Sequence, residues 1–218
     1  MIHTHYIKKW RQTTSKFRLQ LIRKIVLELE IPVSTNQIIE YYLVQFEKNY
    51  LIPTELVGPT GESNTLSFLG RGGALIYFDE SPEQTWLVNT LVAILTGNSV
   101  YINLPVKEHP KIKNLQTILK QHAAECAFHI VPQKVWYSLI PDPNIAVIAM
   151  HAELSDLKQV ADVVANDHPM IPQLIFEEKG EGIRLCYHDS FFSYWLLENT
   201  TTINTTAIGG NTSLLQLN

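Results

Sequence analysis

Cysteine is scarce in this 218-residue chain. Cys126 and Cys186 are the only two, too few for a disulfide framework and in keeping with a reducing compartment. Charge is scarce as well: 17% of residues are Asp, Glu, Lys or Arg and the net charge is -4, which supplies no global field for nucleic acid or an anionic membrane. No apolar run approaches the roughly 20 residues of a membrane span, and no signal-type hydrophobic segment follows the basic start, so the chain reads as cytoplasmic. The N-x-S/T matches at Asn199, Asn204 and Asn211 are then chance matches of a permissive motif. No internal repeat is visible.

Motifs for chemistry are equally thin. "GRGG" at Gly70 to Gly73 precedes an apolar strand, whereas a dinucleotide fingerprint places its glycines after one, where a helix start meets the pyrophosphate. "GPTGES" at Gly58 to Ser63 matches a phosphate loop only loosely, without the lysine. The histidines His109, His122, His129, His151, His168 and His188 form no recognised ligand spacing. Cys126 sits at a helix-to-strand junction and Cys186 in a stretch read as a strand. Neither place lowers a thiol pKa, so both read as buried small hydrophobes. No serine has an elbow motif around it.

What is present is a core: 45% of residues are hydrophobic, enough for one medium domain with an appendage or two small ones. Residues 6 to 30 and 34 to 49 carry apolar residues at helical spacing. Seven Lys/Arg in the first 31 residues (Lys8, Lys9, Arg11, Lys16, Arg18, Arg23, Lys24) read as the solvated face of packing helices in preference to a nucleic-acid contact. Residues 51 to 65, dense in Pro, Gly and Ser, read as a connector. From 66 to 180, short strand-forming runs ("TLSF", which starts at Thr65, then "ALIYF", "SVYINL", "AFHIV", "IAVIAM", "MIPQLIF") alternate with amphipathic helical stretches. That pattern predicts α/β architecture: a small Rossmann-like, open and mostly parallel sheet flanked by helices. Residues 181 to 218 lose the helical period and predict a C-terminal β-type extension, with "GIRLCYHDSFF" and "TTINTTAI" extended and a glycine turn before "TSLLQL".

Three stretches in order, "LVGPTGESNTLSFLGRGGALIYF", "LTGNSVYINLP" and "INTTAIGGNTSLLQL", resemble the C-terminal region of proline utilization A, a family of long bifunctional proline-catabolic enzymes. The resemblance runs from about Leu51 to Asn218 and is most specific in the connector (Gly58, Pro59, Thr60, Gly61, Glu62, Ser63, Asn64) and the tail (Thr202, Ile203, Asn204, Thr205, Thr206, Ala207, Ile208, Gly209, Gly210, Asn211, Thr212, Ser213, Leu214, Leu215). It implies a cut-down aldehyde dehydrogenase nucleotide-binding fold that is non-catalytic: no catalytic, metal or cofactor-binding residues in this domain, with FAD and NAD in the parent enzyme.

The missing motifs agree. "FDESPEQT" stands where a Pro-Trp-Asn-Phe-Pro run follows the first strand, Asn103 where a cofactor-binding lysine would stand, and no Phe-Thr-Gly-Ser, Glu-Leu-Gly-Gly or Gly-Gln-x-Cys occurs. The implied role is a lid over the aldehyde dehydrogenase site and the channelling cavity, with the aldehyde dehydrogenase domain of the same polypeptide as partner. A tail without that acceptor could instead pair copies of the chain. The runner-up reading is a stand-alone small α/β oxidoreductase binding a dinucleotide.

Overall fold

The computed structural model describes residues 4–78, 83–103, 110–180 and 185–205. Three helices lead the chain: α1 (Thr4–Arg11), α2 (Ser15–Glu28) and α3 (Val33–Asn49). The first stretch, expected as one helix, is two, because Thr14 adopts an extended conformation and its side chain accepts the Phe17 N–H as the N-cap of α2. Trp10 and the apolar faces of α2 and α3 are buried; Lys8, Lys9, Arg11, Lys16, Arg23 and Lys24 are exposed, whereas Arg18, expected on the solvated face, is buried against the end of α4.

After β1 (Thr54–Leu56) and β2 (Glu62–Gly70), a parallel sheet is built from β3 (Gly73–Phe78), β4 (Ser99–Asn103), β5 (Phe128–Ile130), β6 (Ile145–Ala152) and β7 (Gln173–Glu178). Its order is β5-β4-β3-β6-β7, third-second-first-fourth-fifth within the sheet. This is the strand order of a doubly wound nucleotide-binding fold, as the alternating sequence pattern predicts. The crossovers contain α4 (Glu83–Leu95), α5 (Pro110–Gln121), α6 (Gln133–Ser138) and α7 (Leu154–Asp167).

Alternation along β3 divides the core. Ala74 and Ile76 face α4, α5 and the N-terminal helices, whereas Leu75 and Tyr77 face Trp136 of α6 and Leu157 and Val160 of α7. Helix α4 is buried from Thr85 to Leu95, lying between the N-terminal helices and the sheet, which explains why its sequence is apolar around much of its circumference.

The stretch "RLCYHDSFF", expected as extended, holds 3-10 turns at Leu185–Tyr187 and Phe191–Tyr194 in its described part. Its aromatics are spaced to pack Phe191 and Phe192 against Tyr42, which a flat strand would not allow. The chain then enters β8 (Leu196–Asn204). β8 does not join the parallel sheet; it pairs with β2 in a separate antiparallel sheet of order β1-β2-β8.

Candidate functional site

The two segments where the resemblance is most specific meet, in their described parts, in this antiparallel arm. Glu62 pairs with Asn204, Ser63 with Ile203 and Asn64 with Thr202. The Thr202 hydroxyl donates to Asn64 Oδ1 at 2.6 Å, and the Thr205 N–H to the Gly61 carbonyl at 2.8 Å. Gly58, Pro59, Thr60 and Gly61 form the turn at the tip, where the Glu62 N–H bonds the Pro59 carbonyl at 3.2 Å. The "GPTGES" loop therefore spends backbone groups on closing an arm instead of cradling a phosphate. Thr202, Ile203 and Asn204 lie in β8 and Thr205 just beyond it, while Thr206, Ala207, Ile208, Gly209, Gly210, Asn211, Thr212, Ser213, Leu214 and Leu215 lie outside the described residues.

β8 is exposed from Leu197 onward, and among the described residues no strand covers its other edge. Because Thr205 directs its N–H at β2, the antiparallel alternation turns the backbone groups of Glu198, Thr200 and Thr202 to the open side. An edge of this kind is a template for a further strand, and its usual guards, Lys and Pro, are absent.

At its root the arm is fixed to the body by residues of "GRGG" and "LTGNS", to which the sequence alone gives no structural role. Asn98, fully buried, accepts the Gly72 N–H on Oδ1 at 3.0 Å and donates through Nδ2 to Thr96 Oγ1 and the Trp195 carbonyl, both at 2.9 Å. One side chain thus ties the end of α4, the entry to β3 and the entry to β8. Gly70, the last residue of β2, lies so close to Gly97 that a Cβ on it would stand 2.5 Å from the Gly97 carbonyl carbon. Gly97 itself has φ +92 and faces the Arg18 guanidinium. Arg18, only 4% exposed, donates to the Leu95 carbonyl at 2.9 Å and so caps α4, and burial pulls its guanidinium down to about 10. "GRGG" and "LTGNS" are the two halves of this joint.

The second place where this fold could hold a ligand is the crevice at the C-terminal ends of the parallel strands, at the switch point between β3 and β6. A pyrophosphate there needs a helix N-terminus free of negative charge. Here the first turn of α4 carries Glu83, paired with Lys111 Nζ at 2.6 Å, and α7 starts behind Glu153 with Asp156 in its first turn. Asn103 ends β4 where the resemblance would place a lysine. His151 is buried beside Glu177, and burial holds its imidazole below the usual range against the opposing pull of that carboxylate. Glu177 is committed to the Leu185 N–H at 2.8 Å. Among the described residues, the carboxylates at both helix starts oppose a pyrophosphate at this crevice.

Both thiols behave as the sequence suggests. Cys126 and Cys186 are free and buried; burial raises both, pushing Cys186 up to about 12. Among the described residues no group of three or more His, Cys, Asp or Glu could hold a metal, and no helix is long and apolar enough to cross a membrane.

Together, the strand order and the antiparallel arm make an α/β fold shared with solved proline utilization A and lactaldehyde dehydrogenase structures. A variant of proline utilization A from Bradyrhizobium japonicum superposes with a TM-score of 0.69 at 19% identity, over 80% of this chain and 21% of that one. The Bdellovibrio bacteriovorus protein of the same name, inactivated by N-propargylglycine, gives 0.67 at 12% identity with the same coverages. Lactaldehyde dehydrogenase from Escherichia coli gives 0.66 at 16%, over 82% of this chain and 43% of that one. The chain thus spans about a fifth of the length of the proline utilization A chains it resembles. No family model matches the chain, and no curated protein matches its sequence.

Proposed function

We propose that this chain is a non-catalytic lid and interaction module of a bifunctional proline-catabolic enzyme, covering the aldehyde dehydrogenase site and the cavity through which the semialdehyde intermediate passes. The observation that carries this reading is the arm: β2, which begins in the connector, and β8, which ends at Asn204, form one antiparallel unit with an open β8 edge among the described residues, anchored through Asn98 to a body with carboxylates at the starts of α4 and α7. An edge strand rooted this firmly can extend a sheet of a neighbouring domain through Glu198, Thr200 and Thr202, carrying Ile203 and the tail into its pockets. A semialdehyde in equilibrium with its cyclic imine is retained only where water and the exit route are excluded, which is work for a lid without a catalytic residue.

The strand order by itself also fits a stand-alone dinucleotide-binding oxidoreductase, and calorimetry separates the two. The lid reading expects no NAD binding by the 218-residue chain; saturable micromolar binding would overturn it. In a polypeptide joining this chain to both enzymatic units, deleting residues 206–218 leaves β8 intact. Proline oxidation should survive while aldehyde oxidation falls or intermediate escapes into solution. Unchanged coupled turnover would refute the lid.

A further inference from the structure

Away from the arm and the crevice, the outer side of α3 forms a cleft with the segment that precedes β8. The Tyr42 hydroxyl donates to the Cys186 carbonyl, and its ring packs on Phe191 and Phe192 at 5.2 and 5.1 Å, which fixes the two walls. The cleft encloses about 500 Å³ and is lined by Ser34, Gln37, Tyr41 and Tyr42 from α3 and by Tyr187 and Asp189 from the opposite wall. A smaller depression of about 220 Å³ continues past Gln45 and Asn49. Tyr41, Tyr42 and Asp189 belong to both and mark the centre of the continuous feature.

The lining has a distinct chemistry. Among the described residues, Asp189 is the only charged side chain on either wall, and it makes no ion pair. Around it stand three phenol rings. Tyr42 is held by the Cys186 carbonyl, Tyr187 accepts a hydrogen bond from Gln84 Nε2 at 2.6 Å, and Tyr41 meets Tyr42 edge to face at 5.3 Å. Tyr41 and Tyr187 remain 48% and 61% exposed, a large aromatic surface for a domain whose other big rings are mostly buried. The negative charge of Asp189 reaches Tyr42, where it adds to burial in holding the phenol protonated.

Aromatic faces grouped around one carboxylate attract an organic cation and repel an anion. The positive end of the α3 dipole lies at Ser34, seven residues and about 10 Å before Tyr41, and its effect is confined to the first turn. A cationic head is therefore favoured at the Tyr41, Tyr42 and Asp189 end, and a neutral or hydrogen-bond-accepting part toward Ser34 and Gln37.

We propose that this cleft binds an organic monocation, an ammonium or guanidinium group on an apolar stem, with Asp189 as counter-ion and the exposed rings of Tyr41 and Tyr187 as its aromatic walls, Tyr42 fixing the floor between them. The inference is independent of the lid reading. The group could be borne by a free amine or by a Lys or Arg side chain, and the test distinguishes them.

The complete chain is titrated by NMR with benzyltrimethylammonium, with phenylacetate as an anion of similar size, and with the blocked peptide Ac-Gly-Gly-Lys-Gly-Gly-amide. The cation should saturate with a Kd on the order of 1 mM and shift the signals of Tyr41, Tyr42 and Tyr187. Asp189→Asn and Tyr41→Ala, both at exposed positions, should each weaken it roughly fivefold or more with thermal midpoints close to the parent's. Glu198→Gln, on the arm, should change nothing. Tighter binding of the peptide assigns a protein side chain as the natural occupant, and tighter binding of the small cation a free amine. Phenylacetate binding as well as the cation, no saturation by either cation, or indifference to Asp189→Asn would overturn the proposal.

Discussion

Asn98→Ala should loosen the joint between arm and body. The substitution removes the acceptor of the Gly72 N–H and the donor to the Trp195 carbonyl, and it frees Thr96 Oγ1 from one partner. Asn98 is fully buried, so water does not replace the lost bonds without opening the joint. Each buried group left unpaired costs about 1–3 kcal/mol, and the Trp195 carbonyl keeps only a 3.4 Å bond from the Arg71 N–H. The sum is about 3 kcal/mol, or a fall of roughly 1.5 M in the urea midpoint at an m-value near 2 kcal/mol/M. Amides of β2 and β8 should exchange faster relative to those of β3, because the joint and not the parallel sheet has been weakened. Asn98→Asp adds a pH signature. Its carboxylate would face the Trp195 carbonyl and Thr96 Oγ1, so burial and the acceptors would raise its folded pKa above the unfolded value of about 3.9. Such a group contributes stability below the unfolded pKa and loses it as pH rises through the folded pKa, so this variant should be least stable near neutrality. A loss below 1 kcal/mol for Asn98→Ala, or an Asn98→Asp variant that gains stability between pH 4 and 7, would refute the reasoning.

Gly70→Ala should cost about 2–4 kcal/mol in urea unfolding, because the added methyl meets Gly97 backbone at 2.5 and 2.6 Å and not a side chain that can swing away. Arg18→Ala should cost about 3 kcal/mol, since it strips charge-assisted bonds from the Leu95 carbonyl and the Ser15 hydroxyl and leaves a void at the end of α4. Neither thiol should react with a disulfide reagent at pH 8 in the native state, and both should titrate on unfolding; burial raises both thiols, and rapid native reaction of Cys186 would contradict its shift to about 12.

The parallel sheet was legible because its strands are short apolar runs and its helices carry period-3.6 stripes, signals local to each element. Both long strands of the arm were legible in part as extended runs, "TLSF" and "TTINTTAI", but not as partners of each other. Residues 196–204 announced extension through Thr200, Thr201, Thr202 and Ile203, but their partner lay 132 positions away at Ser67 and Asn199. Residues 62–65 of that partner carry turn-forming types and read as connector. Local propensity gives no register for a pairing of such separation, and here the pairing overrides it. The 3-10 turns after Leu185 were missed for a related reason: aromatic and β-branched content suggests a strand, while the positions of Phe191 and Phe192 are set by Tyr42 of α3.

The joint escaped for the opposite reason. Its signals were visible, and they had other uses in the sequence: "GRGG" invites comparison with a dinucleotide fingerprint, and "LTGNS" enters only through the family resemblance. The geometry gives both a different use. Gly70 and Gly97 are glycines because two backbones touch, and Asn98 follows because the contact leaves the Gly72 N–H and the Trp195 carbonyl facing each other across the space of one amide. A pocket for phosphate would require backbone N–H groups turned outward, whereas here the Gly72 N–H is turned inward and consumed. That expenditure is what an arm needs if it is to hold a fixed direction while β8 presents an open edge, so the same residues that exclude phosphate binding at this loop also support a docking role for the arm.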